Sequence, residues 1–429
     1  MRILDSTSSA FWPAMRRFCR AAASDPAMRH AVEAMLADVA REGDAAVARL
    51  VAKFDGATLK SAQFRVPAGD LAAAARRLPA ADRRAIREAI ACVRAFNRRG
   101  LPRAWRARNP QGARIGETFF PLRRVGLYIP RGLASTVVMT AVIAKIARVP
   151  EIAIFTPCDK DGRVSDAVLA AAQLCGVDEV YRIGGVPAIG AMAFGTKTIP
   201  PVVKIFGPGN AYVVEAKRQV FGQVGVDLLP GPSEVMVIAD DSAEPDFVAA
   251  DLLAQAEHGS GREKVFLVST SRRFIEAVHE RLTAALATLG RAEAVRRVLK
   301  DGFVSIVVPD MAAAAEIADW VAPEHLELEV KPAERAGLQE RITTAGAVML
   351  GGWSATALGD FTAGPSHELP TGRSGRFSSG LQTIDFMRRS SLVEYDERAL
   401  RRAAPVVEAF ARMEQLDAHG RSVTIRTEC

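Results

Sequence analysis

Between residues 123 and 350, short β-rich runs alternate with helical stretches, and no other feature constrains the fold of this chain as strongly. The runs fall at 125–129, 152–155, 180–183, 202–206, 235–239, 264–268, 304–308 and 347–350. Most end in Gly, Pro or Asp. Strands spaced by helices imply βαβ units, so the pattern predicts an α/β fold on mainly parallel sheets. A sharp turn near 231 splits it into two sheet-like blocks, roughly 126–233 and 234–380. Upstream, residues 24–54 read as a helix capped by Ser24 and Asp25, with Pro26 in its first turn. Residues 69–99 read as two helices broken near Leu78-Pro79, and 381–429 as a helical tail. Ligand sites in such sheets lie at the carboxyl ends of strands. Those ends read here as IPRG (129–132), IGGVP (183–187), FGPGN (206–210) and LPGPSEV (229–235).

Composition narrows the class. With 429 residues, 49% apolar and 24% charged, the chain can bury a large core and is not a disordered or fibrous protein. No apolar run is long enough for a membrane helix, and the N-terminus lacks the apolar stretch of a secretory signal. Five scattered cysteines without a CxxC pair fit a reducing compartment, so a cytoplasmic location is expected. Residues 76–131 hold 15 Arg against three acidic residues. These arginines are not interleaved with stacking aromatics, so neither a nucleic-acid nor a membrane partner is expected.

Four of the six histidines sit beside other ligand-type or acid-base residues. Gln255 and His258 are three apart in a predicted helix and share a face. Asp360 and His367 lie in a stretch with Gly359, Gly364, Pro365, Pro370 and Gly372, which reads as a shaped loop rather than a helix. Glu324-His325 sets a carboxylate beside an imidazole, a pairing suited to proton transfer. His419 stands near the end of the tail. Two imidazoles, a carboxylate and an amide oxygen would suit zinc or a similar divalent ion. Phe206-Gly-Pro-Gly-Asn210 precedes a helical run and could present free N–H groups to an anion. It lacks the dinucleotide fingerprint, because Tyr212 occupies the third Gly place.

Taken together, the motifs RVGLYIPRG, IGGVPAIGAMAFGT, KIFGPGNAYV, GPSEVMVIAD, LLAQAEHG, APEHLEL, LGDFTAGPSHELPTG, RFSSGLQTIDF and LDAHGRSVTIR resemble, in order, the histidinol dehydrogenase family over residues 24–426. The resemblance implies zinc-dependent, NAD-linked oxidation of L-histidinol to L-histidine. By it, Gln255, His258, Asp360 and His419 would hold Zn2+, and Glu324 and His325 would be the acid-base pair. Ser233, His325, His367 and Glu414 would contact substrate, and Tyr128, Pro187 and Asn210 would line the NAD site. Pro187 stands where the family has an NAD-contacting Gln, and offers neither an amide nor an N–H. Arg131 and a shortened turn before Ser135 also depart from the family pattern, as does Ser366.

The resemblance further implies two Rossmann-like parallel-sheet domains with helical N-terminal and C-terminal extensions. The expected division is an N-terminal segment 1–23, a larger α/β domain of 24–125 plus 234–380, a second α/β domain 126–233 on the NAD side, and a tail 381–429 completing the active site of its partner in an intertwined homodimer. The competing readings are a paralogue acting on another small alcohol such as a sulfonated diol, a zinc hydrolase, and a nucleic-acid binder using the Arg-rich segment.

Overall fold

The computed structural model describes residues 1–20, 25–258 and 261–428. The chain opens with β1 (Arg2–Asp5) and α1 (Phe11–Phe18). Four helices follow: α2 (Pro26–Glu42), α3 (Asp44–Phe54), α4 (Ala68–Arg77) and α5 (Ala80–Asn97). Next come β2 (Trp105–Arg108) and β3 (Arg114–Pro121). The first alternation is β4 (Arg124–Tyr128), α6 (Ala134–Ile146), β5 (Glu151–Phe155), α7 (Asp166–Leu174), β6 (Glu179–Tyr181), α8 (Gly185–Phe194), β7 (Lys204–Phe206), α9 (Ala211–Val220) and β8 (Gly225–Val226). The second is β9 (Glu234–Ala239), α10 (Pro245–Ala256), β10 (Lys264–Ser269), α11 (Arg272–Ala285), α12 (Ala292–Asp301), β11 (Phe303–Val307), α13 (Met311–Val321), β12 (His325–Glu329), α14 (Pro332–Arg341), β13 (Ala347–Leu350) and α15 (Thr356–Phe361). The chain closes with β14 (Met387–Glu394), α16 (Glu397–Glu414) and α17 (Asp417–Thr424).

All eight expected strands form, and both large sheets are parallel. The first alternation makes a five-stranded sheet, β6-β5-β4-β7-β8, and the second a six-stranded one, β1-β11-β10-β9-β12-β13. Helices cover both faces of each. In the six-stranded sheet one face packs on α1, α13 and α14, the other on α10, α11 and α12. Such double cover explains why Val235–Ala239 of β9 is apolar throughout and wholly buried.

Several expectations are corrected. The helix expected over 24–54 is two, because Gly43 takes φ +56° between α2 and α3. Ser24 lies outside the described residues, while Asp25 does cap α2, its carboxylate accepting the Ala27 N–H. The break before Pro79 is present, Leu78 being extended as a residue before proline prefers. Helices α2–α5 pack on the five-stranded sheet with 126–233, not with 234–380, because their apolar stripes share cores with α6–α9. The N-terminal segment is not separate: β1 forms the edge of the six-stranded sheet against β11. The tail is not all helix either, since β14 pairs antiparallel with β3, which also pairs with β2.

Candidate active site

β12 lies between β9 and β13. Its Leu326 and Leu328 face the α13 core, whereas its neighbours in register, Val235, Val237 and Ala239 of β9, face α10. His325, Glu327 and Glu329 therefore face α10, by the two-residue alternation of a strand. Glu324 precedes the strand. At this start both side chains of the Glu-His pair reach one place: His325 Nδ1 is 3.8 Å from Glu324 Oε2.

Glu234, the first residue of β9, fixes both. Its N–H donates to Glu324 Oε2 at 2.8 Å, and its carbonyl lies 3.2 Å from His325 Nδ1. The other ring nitrogen of His325 is 3.6 Å from Asp360 Oδ1. Asp360 sits in helix α15, not in the loop expected there. The loop begins after it and returns His367, whose Nδ1 lies 3.0 Å from the Asp360 carbonyl and whose Nε2 lies 3.3 Å from Thr136 Oγ1 at the start of α6. Ser366 donates to the Met139 carbonyl at 3.2 Å, and Thr371 accepts from the Gly231 N–H. These contacts draw the five-stranded unit onto the loop. The site thus lies at the amino edge of β9 and β12, opposite the carboxyl-end placement expected from the strand pattern. The stretch 229–235 leads into β9 rather than ending a strand.

Burial sets the electrostatics. It pushes the Glu324 carboxyl up, against the pull of His325 and the Glu234 N–H. It would push the His325 imidazolium down, but Glu324 and Asp360 overturn this and raise it to about 9. Burial and the charge of Glu324 lift the Glu234 carboxyl to about 8. Asp360 is pushed up by burial but ends below the usual carboxylate range, through its bond with His325 and the charges of His325, His367 and His258. Burial lowers His367. A neutral His367 then donates its Nδ1–H to the Asp360 carbonyl and keeps Nε2 as an acceptor.

Of the expected metal ligands, Asp360 stands beside His325. Gln255 is the last-turn residue of α10 and His258 follows the helix end, its Nδ1 lying 3.2 Å from the Gln255 carbonyl. His258 is near enough for its charge to act on Glu324, Asp360 and His367. Gln255 is buried, and its Nε2 has no hydrogen-bond partner. An amide nitrogen and oxygen exchange on a flip, so this orphan position fits an amide oxygen turned to a cation. Gln255, His258 and Asp360 therefore fit a divalent ion of the zinc type. His419 does not join them within one chain: it is exposed in α17, as is Glu414 at the end of α16. Among the described residues, the one set of three His, Cys, Asp or Glu donors within 4.8 Å of one another is Asp251, Glu327 and Glu329. Sequence reading passed over it, and over Glu234 and Thr136. The alternating His-Leu-Glu-Leu-Glu of 325–329 was the available signal.

The residues expected to line an NAD site fall around the end of β4. Tyr128 is buried, and its hydroxyl accepts the Gly185 N–H at 3.1 Å. Pro187 stands two residues on, in the first turn of α8, where helix N–H groups have no carbonyl to meet and a proline is tolerated. Gly207, after β7, passes so close to Tyr128 that a Cβ there would fall 2.1 Å from the Tyr128 carbonyl oxygen. Asn210 caps α9, taking the N–H groups of Tyr212 and Val213 on its own side chain. Those two groups are therefore not free for an anion as expected. β4 is where the strand order reverses, between β5 and β7, and a crevice there suits a nucleotide. Gly132, at φ +79° just beyond β4, faces open space. Arg131 binds Asp55 at the end of α3, 2.8 Å away. Ser233 leads into β9, and its carbonyl accepts the Lys264 N–H at 3.0 Å.

A family model described as histidinol dehydrogenase matches residues 19–427. Histidinol dehydrogenase of Gluconobacter oxydans is 43% identical over 100% of both chains. That of Ruegeria pomeroyi is 43% identical over 100% of this chain and 99% of its own. The crystal structure of histidinol dehydrogenase from Elizabethkingia anophelis matches with a TM-score of 0.94 at 32% identity, covering 100% of this chain and 98% of that one.

Proposed function

The chain belongs to the histidinol dehydrogenase family and is an oxidoreductase, and from that premise we propose that it oxidises L-histidinol to L-histidine through bound histidinal, in histidine biosynthesis, using zinc and two NAD. The observation that carries this reading is the meeting of Glu324, His325 and Asp360 at one buried point, with His258 beside them.

Gln255, His258 and Asp360 would hold the ion, with His419 of a second copy as the fourth donor in an intertwined dimer. Zinc, when bound, supplies a Lewis-acidic point for substrate donors, and NAD takes up the hydrogen and electron pair leaving the substrate carbon. The remaining work falls to side chains. His325 takes the alcohol proton in the first oxidation. With a conjugate acid near 9 it is a strong base once deprotonated. Glu324, held by the Glu234 N–H, takes a proton from the water that adds to the aldehyde carbon. His367 offers Nε2 to a substrate N–H, and Tyr128, Pro187 and Asn210 line the nucleotide crevice. Holding the aldehyde in a buried site keeps it from side reactions.

The sulfonated-diol alternative is not favoured. The relatives that match this chain at 43% identity over its full length are histidinol dehydrogenases, which supports histidinol as the substrate. The test is NADH production by the zinc-loaded protein with L-histidinol and a panel of small alcohols. Turnover of L-histidinol far above the others is expected, and inactivity with zinc bound would overturn the assignment.

A further inference from the structure

Directly behind the site lies a second layer of acidic side chains that the proposed chemistry does not use. Glu327 is fully buried in β12, two residues beyond His325 on the same face. Its Oε1 accepts from Thr356 twice, from the N–H at 2.9 Å and from the hydroxyl at 2.6 Å. Thr356 is the first residue of α15, and the preceding Ala355 provides no side-chain cap. Glu327 thus supplies, from a neighbouring strand, the acceptor that the start of this helix lacks.

On its other side Glu327 faces Asp251 of α10, a carboxyl oxygen of each lying within 4.8 Å of the other. Two carboxyl groups can bond only through a shared proton. No N–H or hydroxyl reaches the buried Glu327 Oε2, so a proton shared with Asp251 is what can satisfy it. Glu329 completes the group, with Arg335 near enough to offset its charge.

The spacing gives this layer its meaning. Asp251 lies four residues before Gln255, Thr356 four residues before Asp360, and Glu327 two residues after His325. One helical turn advances about 5.4 Å and two strand residues about 6.6 Å. The three anchors therefore sit one step behind Gln255, Asp360 and His325, on the same three elements. We propose that Glu327 is a positioning residue, which ties α10 and α15 to β12 through Asp251 and Thr356 and thereby sets the spacing of Gln255 and His258 against Asp360. The inference rests on the metal reading given above.

The test is zinc affinity, measured on the full-length protein by competition with a chromogenic chelator. Outer partners of metal ligands typically carry about 10–100-fold in affinity, and Glu327→Ala is expected to lose about that much. Glu327→Gln can still accept from Thr356 and donate to Asp251, so it should stay within about threefold of wild type. A role in stability alone would lower the melting temperature of Glu327→Ala and leave the zinc affinity of the folded protein unchanged. That result would overturn the proposal. Should Glu327→Ala not fold, Thr356→Val removes the hydroxyl donor and decides instead: weaker zinc binding supports the proposal and wild-type binding sinks it. His258→Asn separates the two levels. If it leaves zinc binding intact, the metal reading fails and this inference falls with it. If it abolishes binding while Glu327→Ala retains it, only the positioning role is lost.

Discussion

Residues 324–367 and residues 414–419 contribute to one expected site in opposite ways. In the first stretch, Glu324, His325 and Asp360 are held from several sides by β9, β12 and α15. In the second, Glu414 and His419 are exposed on helices that pack on each other. The same helix leaves Val406, Phe410 and Met413 about half exposed or more, at 48%, 55% and 63%. A strand edge inside a doubly covered sheet fixes its side chains by the fold alone. A terminal helical arm does not, and its residues acquire a role only where another surface receives them. A second copy of the chain is the surface that the proposed function requires.

The largest expected effects fall on the buried stretch. His325→Gln should lower kcat by about 10²–10⁴ with zinc still bound, measured by steady-state NADH formation. His258→Asn should remove both zinc and activity while circular dichroism stays native; full zinc occupancy by metal analysis would contradict its role. Glu324→Gln should slow oxidation of added histidinal more than the first oxidation of histidinol. Equal losses in single-turnover measurements of the two steps would remove Glu324 from water activation.

The pH dependence sharpens the same contrast. Folding raises His325 from an ordinary value near 6.5 to about 9. Its contribution to stability is therefore complete below about pH 6.5 and is lost as pH rises through about 9. The melting temperature of the metal-free protein should fall over that window, and in Glu324→Gln, which lacks the neighbouring charge, the fall should begin at lower pH. The smallest effect belongs to Arg131→Ala. Its pair with Asp55 is half exposed on the arginine side, and such pairs contribute about 0–1 kcal/mol, so a shift of a few degrees or less is expected.

The parts legible in the sequence were those with one physical signature. Runs such as 235–239 and 265–268 are buried on both faces and are apolar throughout, so their length and flanking turns identified them. β12 is absent from the expected strands, because His325, Glu327 and Glu329 interrupt its apolar pattern with groups that the interior tolerates only where they are bonded. β2, β3 and β14 were missed for another reason. β2 and β14 are largely exposed and carry two Arg each, and β14 pairs with β3 across more than 260 residues of chain, as between Arg114 and Glu394. Asp360 was placed on a loop because Gly359 and Gly364 bracket it, yet Glu327 starts a short helix there from outside the local sequence. The candidate metal and acid-base residues stand out through the order of motifs along the chain, not through any single spacing. Their convergence depends on sheet order, which no local pattern encodes.

The central claim is that one chain builds most of the site and a second copy's tail completes it. Co-expression of Asp360→Asn and His419→Asn chains, each with a different affinity tag, tests it directly. Each homodimer alone should be inactive. The purified mixed dimer should regain about half of wild-type activity, because one of its sites receives both defects and the other neither. A mixed dimer as inactive as its parents would place His419 in its own chain's site and contradict the account.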